Sequence, residues 1–276
     1  MRISPSQDEM FELTSVWAGE RFGDGRPRVP DDVLDTLRGA TVEHVWQVLT
    51  DNGYSPQFVG GWGETHTGQV LVGRCVTAQF LPRRPDLDAV VEAAGAREGH
   101  LAGAQQNTWV VESLVPGDVM VADIFGKVRE GTVLGDNLGT AVANRTGVGA
   151  IIYGGIRDYT GLRLLPAPVN FFFRGIDPTP IEQVTLAGVN LPVRVGDVTV
   201  LPGDIALGTP AGVAFIPAHL ARTVADRSQD IALRDRFAKQ RMSEERYTTS
   251  EIDVAVWPSR IEEDFQSWSR AGTGKP

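Results

Sequence analysis

Between Gly117 and Asp158 the chain reads GDVMVADIFGKVREGTVLGDNLGTAVANRTGVGAIIYGGIRD. Pro116-Gly117-Asp118 predicts a turn, and Val119-Met120-Val121-Ala122 a buried strand that ends at Asp123. Asp136 is placed to cap a helix over 137–145 that Gly147 stops, and Ala150-Ile151-Ile152-Tyr153 reads as the next strand. A strand, a helix and a strand in this order predict an α/β unit.

Outward from this segment the same grammar continues. Val70-Leu71-Val72 and Cys75-Val76-Thr77-Ala78 predict one long or bulged strand broken at Gly73. Further strands are expected over 169–173, 193–201, 205–207 and 213–216. Towards the N-terminus, Met10, Leu13, Thr14 and Trp17 share a helical face in a segment ended by Gly23 and Gly25. Pro30-Asp31-Asp32 starts a second helix and Thr41 caps a third, with Val42, Val45, Trp46 and Leu49 on one stripe. A helix is expected over 86–96 and a longer one from His219 to about Met242. The reading is one compact α/β domain over 41–242, with a helical extension at 1–40 and a C-terminal extension at 243–276.

Composition sets the outer limits. The 276 residues are 42% hydrophobic and 22% charged, an ordinary globular balance. A net charge of −9 argues against an electrostatic grip on nucleic acid or anionic lipid. No apolar run reaches membrane-spanning length, and the first 22 residues lack a signal peptide's apolar core. Cys75 is the single cysteine, so no intrachain disulfide forms, and a cytoplasmic location is expected.

The chemistry concentrates at two strand ends. Gly135-Asp136-Asn137-Leu138 opens a helix, whose free N–H groups suit a carboxylate or phosphate. Arg157 can bind a carboxylate or enolate oxygen with two donors, and Asp158 beside it can hold a hard divalent cation. Together they suit a 2-oxo acid that loses a carbon fragment through a stabilised enolate. Each part also has a bland reading. Gly-Asp-Asn-Leu alone is an N-cap, Arg-Asp a surface pair and Asp123 a turn former.

The order of Pro-Gly-Asp-Val-Met-Val-Ala-Asp (116–123), Gly-Asp-Asn-Leu (135–138), Gly-Val-Gly-Ala-Ile-Ile-Tyr-Gly-Gly-Ile-Arg-Asp (147–158), Val-Leu-Pro-Gly-Asp-Ile-Ala (200–206) and Gly-Val-Ala-Phe-Ile-Pro (212–217) resembles the RraA-like family. The family includes 4-hydroxy-4-methyl-2-oxoglutarate aldolases, which also decarboxylate oxaloacetate, and protein regulators of ribonuclease E. The resemblance implies a layered swivelling β/β/α-type domain assembled as a homotrimer or homohexamer. It implies that Arg157 binds substrate and that Asp158 ligates Mg²⁺ or Mn²⁺. The backbone of Gly135, Asp136, Asn137 and Leu138 would cradle the substrate carboxylate, and Asp136 would orient a metal-bound water. A further acid from a neighbour's C-terminal helix would be Asp235 or Asp230. The activity implied is retro-aldol cleavage of a 4-hydroxy-2-oxo acid to pyruvate. The alternatives are a lyase or hydratase for a sugar-derived keto acid and a non-catalytic protein-binding regulator.

The sequence departs from the family pattern at several places. Thr209-Pro210-Ala211-Gly212 replaces an acidic Asp-x-Asp-Gly, and Glu43-His44 replaces a Ser-Asp pair. Segments 82–109 and 124–134 are enlarged and can reshape the pocket. Lys127 and Arg129 are candidates for a second substrate carboxylate. His44, His66, His100, His219 and Cys75 read as structural groups, with His66 also a candidate pocket residue. Ile261, Phe265 and Trp268 form an apolar stripe that must bury at home or on a neighbour.

Overall fold

A computed structural model describes residues 1–166 and 169–272. Helices α1 (Gln7–Leu13), α2 (Asp31–Leu37) and α3 (Val42–Asp51) open the chain. Strands β1 (Phe58–Val59), β2 (Gly63–Glu64) and β3 (Leu71–Pro82) precede α4 (Pro85–Arg97) and α5 (Gln106–Ser113). The central segment is β4 (Asp118–Asp123), β5 (Thr132–Leu134), α6 (Asp136–Thr146), β6 (Gly149–Ile156), α7 (Tyr159–Arg163) and β7 (Asn170–Ile176). Next come β8 (Val184–Val189), β9 (Val193–Val195), β10 (Val198–Val200), β11 (Ile205–Thr209) and β12 (Gly212–Ile216). The chain closes with α8 (Ala221–Ser243), α9 (Thr249–Ile252) and α10 (Ser259–Arg270).

Strands β3, β4, β6 and β7 lie side by side in parallel. The first half of β3 also pairs antiparallel with β11, which continues to β12 and β1. Its second half pairs antiparallel with β8, while β2 closes the other edge on β7 and β5 sits beside β6. The period-2 pattern sorts side chains between two cores. Val119, Val121, Ile151 and Phe172 pack under the β9–β10 hairpin with Val193, Val195, Val198 and Val200. Met120, Ala122, Ala150, Ile152, Phe171 and Phe173 face the other way, onto Val91, Trp109 and Val142 of α4, α5 and α6. Further along that helical side, Ile205, Leu207, Ala214 and Ile216 bury against α2, α3 and α8. Hairpin, sheet and helices make the expected β/β/α layering, with helices at both ends of the chain.

Three local expectations are corrected. β3 does not break at Gly73, where a Cβ would come within 3.0 Å of the Gly117 carbonyl, so this glycine serves close strand approach. Its irregularity lies at Gln79/Phe80 instead. The stretch 193–201 is a hairpin turning at Gly196 (φ +61°) and Asp197. The first helix ends at Leu13, and Thr14 returns its hydroxyl to the Met10 carbonyl. The N-terminal extension packs onto the rest of the chain: Arg26 reaches both carboxylate oxygens of buried Asp118 at 3.1 and 3.3 Å, and Ile3 lies in the main core.

Candidate active site

The registers of β5 and β6 create the site. Leu134 stands opposite Ile156, and the Arg157 N–H donates to the Leu134 carbonyl at 3.1 Å. One residue further, Gly135 therefore meets Arg157 and Asp158. Gly135, not Asp136, is the N-cap of α6; Asp136 is its first residue, where its charge complements the helix dipole. A Cβ at Gly135 would sit 2.2 Å from Asp158 Oδ2 and 3.1 Å from Arg157 Nε. Only a missing side chain lets the carboxylate and guanidinium lie over the helix start. Asp158 takes the left-handed conformation (φ 52°, ψ 38°) as the chain turns from β6 into α7, a conformation that Asp tolerates better than most residues. Asp136 packs on α7 at Gly161, where a Cβ would fall 2.7 Å from the Asp136 Cβ.

Arg157 Nε lies 3.4 Å from Asp158 Oδ2, and both side chains are nearly half exposed. They open on a cavity of about 250 Å³ lined also by Gly135, Asn137, Leu138 and Asn107. Among the described residues no three His, Cys, Asp or Glu side chains gather as a metal cage. A Mg²⁺-like cation keeps several waters and needs only one or two carboxylates. The exposed Asp158 carboxylate over a space that a Cβ would fill fits that demand.

The remaining candidates fall elsewhere. Asp235 lies 3.3 Å from His44 Nε2 on the α3–α8 side, and neither it nor Asp230 lines the cavity. Asp123 is a turn former: its buried carboxylate accepts the Phe125 and Arg194 N–H groups, and burial pushes its pKa up. Lys127 turns to Glu130 and to the Glu182 carbonyl. His66 bridges Thr65 and the Leu165 carbonyl, His100 stacks on Trp109, and His219 meets the Tyr54 hydroxyl. Cys75 is fully buried, and burial pushes its thiol well above the usual range. Gln105, Asn107 and Thr108 of the 82–109 segment do line the cavity. Only the length of that segment hinted at them.

The RraA-like family model, described as Aldolase/RraA, matches residues 40–215. The chain belongs to the RraA-like family. A Thermus thermophilus 4-hydroxy-4-methyl-2-oxoglutarate aldolase is 28% identical over 108 residues, 39% of this chain and 64% of the relative. A Halalkalibacterium halodurans protein named provisionally for that activity is 30% identical over 115 residues, 41% of this chain. The match covers only 53% of that relative, so the chain spans about half to two thirds of the length of these two proteins. In fold, the chain resembles Streptomyces coelicolor RraAS2, described as an unusual member of the RNase ES inhibitor RraA protein family. The TM-score is 0.66 at 24% identity, covering 78% of this chain and all of that one. No helix among the described residues is long and apolar enough to cross a membrane.

Proposed function

We propose that this chain is a divalent-metal-dependent carbon–carbon lyase that cleaves a 4-hydroxy-2-oxo acid and releases pyruvate. The observation that carries the reading is the seating of Arg157 and Asp158 on Gly135 at the start of α6. A solvated surface pair has no need of a glycine beneath it. The aldolase names of two relatives support the same class.

Asp158 would hold Mg²⁺ or Mn²⁺, which supplies Lewis acidity to the keto and carboxylate oxygens of the pyruvyl portion. The N–H groups at the start of α6 hold the substrate carboxylate. Arg157 donates to the oxygen that becomes the enolate, where charge develops in the transition state. Asp136 orients the water that takes the proton from the 4-hydroxyl. Decarboxylation of oxaloacetate draws on the same enolate stabilisation without that proton transfer. In this reading the chain works as a homotrimer or homohexamer, and Asp235 of one subunit's α8 serves a neighbour's site.

Pyruvate release from a panel of 4-hydroxy-2-oxo acids, with and without chelator, tests the reading. Asp158→Asn keeps the left-handed turn while weakening cation binding, and is expected to abolish metal-dependent release. Arg157→Lys cannot reproduce a planar two-donor contact and is expected to cost about 3 kcal/mol of transition-state stabilisation. Full activity of either variant, or metal-independent release, overturns the assignment.

A further inference from the structure

The cavity beside Gly135 has a second wall that the reaction leaves without a role. It is the start of α5, carried by the 82–109 segment, where Gln105, Asn107 and Thr108 share the cavity with Arg157 and Asp158. Asn107 is 4% exposed, and its Nδ2 donates to the Val133 carbonyl at 2.6 Å, two residues before Gly135. This bond ties the helix start to the strand that delivers the substrate cradle. Asn107 Oδ1 is buried and accepts no hydrogen bond among the described residues. That oxygen is closed off from any ligand, so Asn107 holds the wall in place, and the exposed Gln105 is the side chain of this wall that a ligand can meet.

Charge points away from a second carboxylate. Among the described residues lining this cavity, Arg157 is the one cation. A neighbouring cavity of about 390 Å³ shares Gln105, Asn107 and Ile181 as a wall. It carries Asp88, Glu92 and Glu182 against Arg83, which already pairs with Asp88 at 2.9 Å. The potential therefore becomes more negative away from the cradle. One substrate carboxylate is matched by the α6 start, and Arg157 is taken up by the enolate oxygen. A second, at the distal end, would find no cation on this lining and would face acidic ground.

We propose that this site takes 2-oxo acids with a single carboxylate and an uncharged, hydroxylated distal end, and that Gln105, on the wall that Asn107 anchors, selects for that end. The inference rests on the lyase reading and narrows its substrate class from dicarboxylates to sugar-derived acids. In the step itself, the 4-hydroxyl loses its proton and the C3–C4 bond breaks. Its electron pair passes to C3 as the pyruvate enolate, which is reprotonated there, and the C4 fragment leaves as an aldehyde.

The test compares kcat/KM of the full chain with Mg²⁺ on two five-carbon substrates. These are 4,5-dihydroxy-2-oxopentanoate, ending in a hydroxymethyl group, and 4-hydroxy-2-oxoglutarate, ending in a carboxylate. The hydroxymethyl substrate is expected to be preferred by about tenfold or more. Gln105→Arg puts a cation at an exposed rim position and is expected to shrink that ratio by a similar factor, chiefly through KM. Metal-dependent exchange of the pyruvate methyl protons with deuterium reports the enolate chemistry without any distal group. No exchange sinks the lyase reading and this inference with it. Exchange together with preference for the dicarboxylate overturns this inference alone. A ratio unmoved by Gln105→Arg removes α5 from selection.

Discussion

Gly135 has an extended backbone (φ −116°, ψ −164°) that any residue adopts, so space alone requires glycine there. The atom nearest its absent Cβ is Asp158 Oδ2, the far end of a half-exposed side chain that can swing away. Gly135→Ala is therefore expected to cost less than about 1 kcal/mol in urea unfolding while moving the carboxylate off the helix start. Pyruvate release should fall by about a hundredfold, as for a misplaced reacting group. A variant that keeps full activity would remove Asp158 from the site. Asp204 makes a separate prediction, for pH. It is 7% exposed, accepts the Leu201 and Ala218 N–H groups, and burial pushes its carboxyl up to about 7 from an ordinary 3.8. Between those two values the folded state holds a proton that the unfolded chain has released. Its contribution is complete below about pH 4 and is lost as pH rises towards 7, by up to about 4 kcal/mol. Asp204→Asn has nothing to titrate, so the urea midpoint should fall less between pH 5 and 7.5 in this variant than in the wild type. Parallel pH profiles would show that Asp204 ionises normally in the fold.

At the scale of elements, the loop 124–131 rests on the end of β6 because Gly154 and Gly155 leave room for it. Lys127 and Gly131 both accept the Gly155 N–H at 3.0 Å. A Cβ on Gly154 would stand 2.0 Å from Ile124 Cγ2 and 2.8 Å from the Lys127 carbonyl. Backbone cannot swing aside as a side-chain tip can. Gly154→Ala is thus expected to destabilise by about 1–3 kcal/mol in urea unfolding; a change below about 0.5 kcal/mol would mean that the loop is not seated there. The central strands were legible because alternating Val, Met, Ala and Ile lie between a Pro-Gly-Asp turn and glycine stops. The hairpin at 193–201 was missed although Gly196-Asp197 is a two-residue turn signal, because each arm is only three residues long and the two together read as one Val-rich strand. The cap of α6 was misplaced by one residue. An Asp before a helical pattern reads as an N-cap, but Gly135 fills that position through the contact it permits. Arg157 and Asp158 were legible as a motif. The wall from α5 was not, since Asn107 meets Val133, 26 positions further on, only after folding.

Over the whole molecule, the C-terminal stripe finds its partner within the chain. Ile261 and Trp268 of α10 bury against Phe237 of α8, with Phe265 and Trp268 edge-on to the Phe237 ring at 5.4 and 5.6 Å. Polar contacts fix the same pairing: Arg241 grips Asp264 through two bonds of 2.8 and 2.9 Å, Arg234 grips Glu262, and Trp268 donates to Gln240. A stripe satisfied at home needs no neighbour to cover it. The α10 helix is instead a clamp on the second half of α8, away from the sheet. Truncation after Pro258 uncovers Phe237 and removes both arginine pairs, and each fully buried large apolar side chain contributes about 2–3 kcal/mol. The part of α8 beyond Leu233 should then lose amide exchange protection, while the sheet strands keep theirs. The number of chains per assembly in light scattering should stay unchanged. Asp235 lies within the loosened part, so release of pyruvate should fall if that carboxylate serves a neighbour's site. A smaller assembly after truncation would show that α10 also holds subunits together. Unchanged protection along α8 would show that the helix stands without its clamp.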